Sequence, residues 1–374
     1  MAHKDSQSNM YQHSEKKVEL LKLYLDRYLS ILNQSKHIKR VRFYDLFCGP
    51  GVYENGGEGS PIVALKAMSE ILNSDGARNN LDFVFVFNDY DKTRLDQLSN
   101  NIDKLNFVGS EDSRIRLLND DYQDAWNKCH AEVTKMPTNE RAFVFIDPFG
   151  YKDISYSDIK SLLENKKTEV LLFLPTQFMF RFERKGTPTS LKRFIDEIVP
   201  EEQWPNSFSG LSFIENLKSA FRKNLENDKF VDTFIIARDR NQFFCLFFFT
   251  GHIYGFDRML DAKWKIDEEE GRGWSYEEPM GLFSNLEKRP QIQKFEKELK
   301  AYLLNCNPTN GELYEFTLRN GFLPKHCNEV LRSLLKTTGL KVFDNKGNLI
   351  KKEAFYINYK NFKFTPEKVK FELK

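Results

Sequence analysis

The chain has 374 residues, a length that suits two domains, and its 40% hydrophobic and 29% charged residues are ordinary for a globular protein. No apolar run approaches the roughly 20 residues that cross a bilayer, and segment 1–17 has no signal-peptide core, which argues against membrane and secreted classes. The five cysteines include no Cys-x-x-Cys pair. The sequence therefore predicts a cytoplasmic protein without a metal site.

The net charge of +2 is unevenly distributed. Residues 286–374 carry 18 Lys and Arg against 10 Asp and Glu, a balance of +8, whereas residues 1–285 carry 38 against 44, a balance of −6. A basic C-terminal module favours a nucleic-acid partner, DNA or RNA. The alternative is a solvated basic face that binds nothing.

The first elements are an amphipathic helix over 13–34 and a strand over 41–46, which a Gly-Pro-Gly turn follows. Glycines permit backbone angles that other residues avoid and leave no side chain between the turn and a ligand. An acid, three residues and Gly-x-Gly resemble the first motif of class I S-adenosylmethionine (SAM) dependent methyltransferases. The resemblance implies that SAM's methionine part lies against Asp45, Phe47, Cys48, Gly49 and Gly51.

The next helix begins only at Ser60-Pro61, and Glu54 stands where a dinucleotide motif has its third glycine. A hydroxyl that caps the helix and a proline at its first position are typical of a helix start. Because dinucleotide folds begin this helix within the glycine turn, the delay argues against an NAD site.

Acids follow the next two predicted strands, 81–87 and 114–118. Asp89 is placed to accept both ribose hydroxyls of SAM, although it could instead cap the helix at 92–103. After the third strand, Asp121 could accept from the adenine amine while Tyr122 packs on the ring. Asp120 is a close rival of Asp121.

The fourth strand, 142–146, leads directly into Asp147-Pro148-Phe149-Gly150. Methylation of an exocyclic amine needs an acceptor for its N–H and a carbonyl aimed at the same nitrogen. Asp147 and the Pro148 backbone supply these groups, and Phe149 or Tyr151 can stack on the target base. The motif resembles that of amino-group methyltransferases, most closely the tRNA guanine-N2 dimethyltransferases. A turn with a purely structural role is the alternative.

The rest of the first domain is predicted to be a fifth strand at 170–174, a helical insertion near 178–228 and a β-hairpin of 230–237 with 243–250. Arg181 in the insertion is a candidate substrate-binding residue. The predicted fold of residues 1–285 is a Rossmann-like class I methyltransferase sheet, mostly parallel with the antiparallel hairpin at its end. A further helix is predicted at 254–264.

Residues 286–374 are predicted to form a basic winged-helix-like domain. Three helices are expected at 291–304, 310–320 and 325–337, the last as the recognition-type helix. Two short strands of the wing are expected at 341–343 and 354–359.

The opening 45–49 also resembles that of cytosine-C5 methyltransferases. Those enzymes attack C6 of the base with a cysteine presented in Pro-Cys. No cysteine of this chain follows a proline, so that chemistry is excluded and Cys48 is interpreted as a small turn residue.

Several motifs together resemble the three-Cys-motif partner family (TcmP), and they extend over most of the chain. They are His13-Ser14-Glu15-Lys16-Lys17, the turn 45–51, Gly59-Ser60-Pro61, the segment 145–150, Arg181-Phe182 and the segment 259–264. The resemblance implies a methyltransferase-like protein with a neighbouring-gene protein as partner. A more distant likeness to rRNA adenine-N6 methyltransferases implies that His13 and Lys17 lie on the substrate side.

We therefore expect a SAM-dependent methyltransferase that acts on an exocyclic amino group of a nucleic-acid base. One alternative is a non-catalytic SAM- or nucleotide-binding partner subunit of a mobile-element or anti-phage defence locus. Another is a methyltransferase-like scaffold whose winged helix regulates DNA. The oligomeric state is not predicted.

Overall fold

The computed structural model describes residues 9–74, 81–105, 114–148, 154–185, 189–198, 203–226, 228–239, 242–275, 290–350 and 353–373. The chain divides into two compact units, Met1–His252 with Gly273–Met280, and Ile253–Arg272 with Gly281–Lys374. Among the described residues, no helix combines the length and the hydrophobicity needed to span a membrane. All five cysteines are free thiols.

The first unit is built on one eight-stranded sheet. Its strands are β1 (Arg40–Asp45), β2 (Asp82–Asn88), β3 (Ile115–Leu118), β4 (Glu140–Ile146), β5 (Thr168–Leu174), β6 (Phe230–Asp239), β7 (Gln242–Thr250) and β8 (Gly273–Ser275). They lie in the order β3-β2-β1-β4-β5-β7-β6-β8. β1 to β5 are parallel, and β7 is antiparallel to both β5 and β6. This topology confirms the predicted Rossmann-like, mostly parallel sheet with its antiparallel hairpin. β8, which the sequence did not predict, pairs parallel to β6 at the edge beyond the hairpin.

Helices connect these strands and cover the sheet. They are α1 (Gln12–Gln34), α2 (Ser60–Leu72), α3 (Lys92–Leu105), α4 (Tyr122–Thr134), α5 (Tyr156–Leu163), α6 (Thr176–Lys185), α7 (Thr189–Ile198) and α8 (Gly210–Asn224). Because side chains alternate along a strand, Phe43 and Tyr44 enter different layers. Phe43 stacks on Phe143 beneath Tyr24 and Tyr28 of α1, whereas Tyr44 joins the core under α4, α5 and α8. The sheet is thus covered on both faces, as parallel sheets require.

The second unit contains α9 (Ile253–Ile266), α10 (Gln293–Asn305), α11 (Asn310–Arg319), α12 (Pro324–Thr337), β9 (Lys341–Asp344), α13 (Tyr359–Phe364) and β10 (Val369–Glu372). α9 is anchored in this unit by two hydrogen bonds. The Tyr314 hydroxyl donates to Asp257 at 2.6 Å, and the Trp264 indole N–H donates to the Gly321 carbonyl at 2.9 Å. The sequence places α9 in the first predicted domain, residues 1–285. A chain cut at residue 286 would separate α9 from Tyr314 and Gly321.

One predicted strand of the second unit is wrong. β9 pairs antiparallel with β10, and segment 354–359 forms no strand. Phe355 and Ile357 are nevertheless buried, at 3% exposure each. The alternation of these two residues with polar ones therefore indicates burial and not a strand. The backbone at Tyr356 adopts a left-handed conformation, with φ of 58°, which is incompatible with strand pairing.

Candidate cofactor and substrate site

Three acids meet at the carboxyl edge of the parallel strands. β1 ends at Asp45, which lies in register with Phe87 of β2 and Phe145 of β4. Asp89 and Asp147 follow those two neighbours by two residues. Crevices at this edge of an open α/β sheet are where ligands bind, so strand register alone brings together the acids predicted for the site.

The glycine turn after β1 is fixed to the end of β2. Gly49 and Gly51 adopt φ of 64° and 76°, a region that favours glycine. A Cβ at Gly51 would lie only 2.5 Å from Cδ1 of Leu98. The Gly49 N–H donates to Oδ2 of Asp89 at 3.0 Å, and Oδ1 of Asp89 accepts from the Asp91 N–H at 2.8 Å. Asp89 thus organises the turn, and each oxygen keeps a second lone pair for a ligand.

Asp45 is completely buried, and its Oδ2 accepts no hydrogen bond from the described residues. Oδ1 accepts from the Phe47 N–H at 3.2 Å. Burial raises the pKa of Asp45 to about 7, and the charge of Asp147 contributes, while the Ser60 hydroxyl and the Phe47 N–H lower it in part. A buried acceptor atom without a partner is costly and suits a ligand that brings a cation or a donor.

Asp147 is paired with a cation from the N-terminal helix. Lys17 of α1 donates to Oδ2 of Asp147, and its ammonium lies 4.5 Å from the ring centroid of Phe173. Lys17 is only 8% exposed. Pro148 is buried, whereas Phe149 and Tyr151 lie outside the described residues. Of the two substrate-side candidates in the N-terminal segment, His13 and Lys17, it is Lys17 that contacts the predicted catalytic acid directly.

A column of stacked rings leads to this ion pair. His13 stacks between Tyr11 and Phe244 with centroid distances of 5.6 and 5.3 Å, and Phe244 stacks on Phe173 at 5.4 Å. Lys17 lies over Phe173 at the end of the column. Such a column beside a carboxylate is the kind of flat apolar surface against which a nucleobase packs.

The residues predicted to contact adenine have other partners. Asp121 caps α4 by accepting from the Asp124 N–H at 2.9 Å, and Tyr122 is buried with its ring stacked on Phe47 at 5.4 Å. Its rival Asp120 pairs with Lys128 at 2.6 Å. Among the described residues that follow these strands, Tyr90 has a ring that is open to solvent, at 80% exposure.

Cys48 and Arg181 are the remaining sequence candidates. Cys48 is buried in the glycine turn, and burial raises the pKa of its thiol well above the ordinary value, which suits a packing residue. Arg181 is exposed on α6, and the structure describes no contact between it and Asp147. Among the described residues, no group of three or more His, Cys, Asp or Glu could hold a metal ion.

Two asparagines that sequence reasoning missed hold the strand ends together. Asn88 donates to the Leu46 and Asp120 carbonyls at 3.2 Å each and accepts from the Asp120 N–H. Asn119 donates to the Asp89 and Tyr90 carbonyls at 2.9 Å each. An asparagine after a strand usually indicates a turn, so only its position at the ends of adjacent predicted strands could have signalled this role.

Comparison with known proteins adds two findings. Residues 273–347 match the model of the GMT-like wHTH domain. No curated protein matches the sequence.

Several solved structures are similar at low identity. Trm1 from Pyrococcus horikoshii, solved with S-adenosyl-L-methionine, is 13% identical with a TM-score of 0.39, and the match covers 68% of this chain and 60% of that one. An O-methyltransferase from Bacillus cereus in complex with SAH is 13% identical with a TM-score of 0.35, and the match covers 66% and 85%. The methyltransferase domain of bacterial CtHen1 is 12% identical with a TM-score of 0.28, and the match covers 62% and 99%. The chain thus combines a Rossmann-like α/β unit with a C-terminal wHTH domain.

Proposed function

We propose that this chain is a SAM-dependent methyltransferase that acts on an exocyclic amino group of a nucleic-acid base. The observation that carries the proposal is the pair of acids at neighbouring strand ends. Asp45 presents a buried oxygen that has no hydrogen-bond partner among the described residues, beside a two-glycine turn. Asp147 stands at the next strand end against Lys17. One acid suits a cationic cofactor, and the other suits an amine substrate.

SAM supplies an electrophilic methyl group on a sulfonium and also carries an ammonium group. Asp45 would accept a hydrogen bond from the ammonium group or balance the positive charge of the cofactor. The turn at Gly49 and Gly51 would leave room for the methionine part. Asp89 would accept from the ribose hydroxyls with its remaining lone pairs. The exposed ring of Tyr90 is our candidate for the adenine face, and Asp121 stays the predicted polar contact.

On the substrate side, Asp147 would accept a hydrogen bond from the target amine while the Pro148 carbonyl points to the same nitrogen. Lys17 holds one carboxylate oxygen, Oδ2, and leaves Oδ1 for the amine. The column of Tyr11, His13 and Phe244 would support the base, together with Phe149 and Tyr151 as the sequence predicted. A carboxylate beside the nitrogen stabilises the positive charge that develops there during methyl transfer.

The experiment that tests the proposal is methyl transfer from isotopically labelled SAM to total DNA and RNA, followed by mass spectrometry of the nucleosides. A methylated amino group on one base is expected. Labelling of ring carbons or of 2′-hydroxyls alone would contradict the proposed chemistry.

A second candidate is a SAM-binding partner subunit without catalysis. The observation that favours it is the Lys17–Asp147 ion pair, since a carboxylate that already has a cationic partner can serve packing alone. Calorimetric SAM binding without transfer to DNA, RNA or protein would select this candidate.

Replacing Asp89 with alanine is expected to weaken SAM binding by roughly ten-fold or more, since a hydrogen bond to a charged group contributes about 1.5–3 kcal/mol. The Gly49 N–H also loses its acceptor. Isothermal calorimetry measures the change. Asp91→Ala is the matched control, because Asp91 accepts from the Thr93 N–H in α3 and its loss leaves the glycine turn intact. Equal SAM affinity in wild type and Asp89→Ala would remove Asp89 from the cofactor site.

Polynucleotide binding is expected to depend steeply on salt, because residues 286–374 carry a net charge of +8. Each phosphate contact on a single strand contributes a slope of about −0.7 to log affinity against log salt, so five contacts predict a roughly 100-fold loss between about 50 and 200 mM salt. Replacing Lys346 and Lys370, both exposed, with glutamate should flatten the slope. An unchanged slope in that variant would assign the second unit another role, such as partner docking.

A further inference from the structure

A cavity of about 530 Å³ opens beside the wing of the second unit. This wing pocket has an aromatic ring, a cation and several polar groups on its walls. It is lined by Asp344, Asn345, Tyr356, Thr365, Glu367 and Lys368. Its volume lies within the roughly 300–1,000 Å³ of small-ligand sites. None of these residues belongs to the cofactor and substrate site of the first unit.

Tyr356 forms a strained wall of the wing pocket. Its φ of 58° is a conformation that a bulky side chain rarely adopts, and Lys166 is the other described non-glycine residue with a positive φ. The neighbours Phe355 and Ile357 are both buried and hold the segment in place. Strain of this kind persists where the surrounding structure enforces it, and it clusters at functional sites.

The groups in the wing pocket match the parts of one nucleotide. The Lys368 ammonium lies over the Tyr356 ring, 3.8 Å from its centroid, so a cation on a flexible stem covers the aromatic face that a base would use. Asp344 is occupied by the turn, where it accepts from the Lys346 and Asn348 N–H groups. Asn345 and Glu367 remain as polar contacts for the edge of a base.

Part of the positive charge of the second unit lies around the wing. Arg332 and Lys336 of α12, the predicted recognition helix, lie 3.4 and 3.9 Å from Glu353. Four exposed lysines around the wing form no ion pair with another described residue: Lys341, Lys346, Lys363 and Lys370. Lys363 lies 5.2 Å from the ring of Phe364, which is 68% exposed. Lysines interleaved with exposed aromatic rings are typical of surfaces that bind unpaired nucleic acid.

We propose that the wing pocket binds one unpaired nucleotide. The base takes the place of the Lys368 ammonium over the Tyr356 ring, and the ammonium pairs with the phosphate. The proposal rests on the nucleic-acid substrate of the proposed function and adds a second, non-catalytic contact to it. A duplex keeps its base faces stacked internally, whereas loops and single strands present them to aromatic side chains. The wing pocket therefore favours an unpaired strand over a duplex.

The test uses the full chain and replaces Tyr356 with asparagine, a residue that tolerates the left-handed backbone and removes the ring. Affinity for fluorescein-labelled single-stranded 12-mers of RNA and DNA is measured by anisotropy. We expect a roughly 5- to 100-fold loss, since stacking of one base contributes about 1–3 kcal/mol. Affinity for a blunt-ended linear duplex of the same composition should change less than about two-fold. Tyr356→Phe should bind like wild type.

A matched pair of lysine variants separates the wing pocket from general electrostatics. Lys368→Ala and Lys297→Ala remove the same charge, but Lys297 is exposed on α10 and does not line the cavity. Only Lys368→Ala should lower single-strand affinity beyond the small uniform effect of one lost charge. Ultraviolet crosslinking of the bound 12-mer should map to the peptide that contains Tyr356.

Three results would overturn the proposal: wild-type affinity in Tyr356→Asn, an equal loss for the duplex, or crosslinks confined to α12. Crosslinks confined to α12 would assign nucleic-acid binding to this predicted recognition helix. Methyl transfer is measured on the same proteins. Crosslinking at Tyr356 without any methylated base would leave this inference standing and refute the proposed enzyme. Methylation of a base together with wild-type single-strand affinity in Tyr356→Asn would do the reverse.

Discussion

Replacing Asp147 with alanine is expected to reduce methyl transfer to nucleic acid by two or more orders of magnitude, about 2.7 kcal/mol or more in the barrier. The substitution removes the acceptor for the amine proton, while β4 and the glycine turn stay in place. SAM affinity should therefore change little. Transfer of labelled methyl groups from SAM to nucleosides measures the methylation rate, and calorimetry measures cofactor binding.

Two further variants separate the roles of the Lys17–Asp147 pair. Asp147→Asn keeps the shape but loses the negative charge, so it should also be strongly impaired. Lys17→Met keeps the packing of the side-chain stem over Phe173 and removes the ammonium. It should reduce transfer less than Asp147→Ala does, if Lys17 only positions the carboxylate. Transfer by Asp147→Ala at the wild-type rate would show that this acid is a turn residue.

The sheet could be predicted from the sequence because each buried strand is a short apolar run that ends in a polar residue. Parallel register then places Asp45, Asp89 and Asp147 at one edge without any knowledge of tertiary contacts. In the wing, the same kind of pattern predicted a strand that does not form. There, Phe355 and Ile357 alternate as in a strand, but the positive φ of Tyr356 breaks the pairing geometry.

The contacts between distant segments could not be predicted in the same way. Lys17 reaches Asp147 across 130 residues of sequence, and a helical lysine usually indicates a solvated face. Phe173 and Phe244 lie within continuous apolar strands, where periodicity does not distinguish a ring at the crevice from one in the core. The partners of Asp121 and Tyr122 could not be predicted either, because an acidic residue suits a helix cap as well as an adenine contact.

Replacing Asp45 with asparagine is expected to have two opposite effects at pH 8. SAM affinity should fall by roughly 10- to 100-fold, because a buried carboxylate can balance a cationic ligand and an amide cannot. The thermal stability of the protein without ligand should rise by a few degrees. Asparagine keeps the acceptor for the Phe47 N–H but carries no charge that must be buried.

The sign of the stability effect follows from the direction of the pKa shift. Burial raises the pKa of Asp45 from 3.8 to about 7, so the folded state retains a proton that the unfolded state releases above pH 3.8. Stability from this group is present at low pH and is lost as the pH rises toward 7. The melting-temperature advantage of Asp45→Asn should therefore be small near pH 4, grow up to about pH 7, and stay constant above it.

Wild-type SAM affinity should rise over the same pH range, since the cation binds the deprotonated carboxylate, and Asp45→Asn should lose this dependence. Glu169 is a second buried acid whose pKa is raised to about 7 by burial, but it is present in both proteins and cancels in their difference. Differential scanning fluorimetry and calorimetry from pH 5 to 8.5 measure the two effects. A variant that binds SAM as tightly as wild type at pH 8 would contradict the cofactor role of Asp45. A melting-temperature difference that does not depend on pH would contradict the raised pKa, because a carboxylate that is ionised throughout this range contributes no slope.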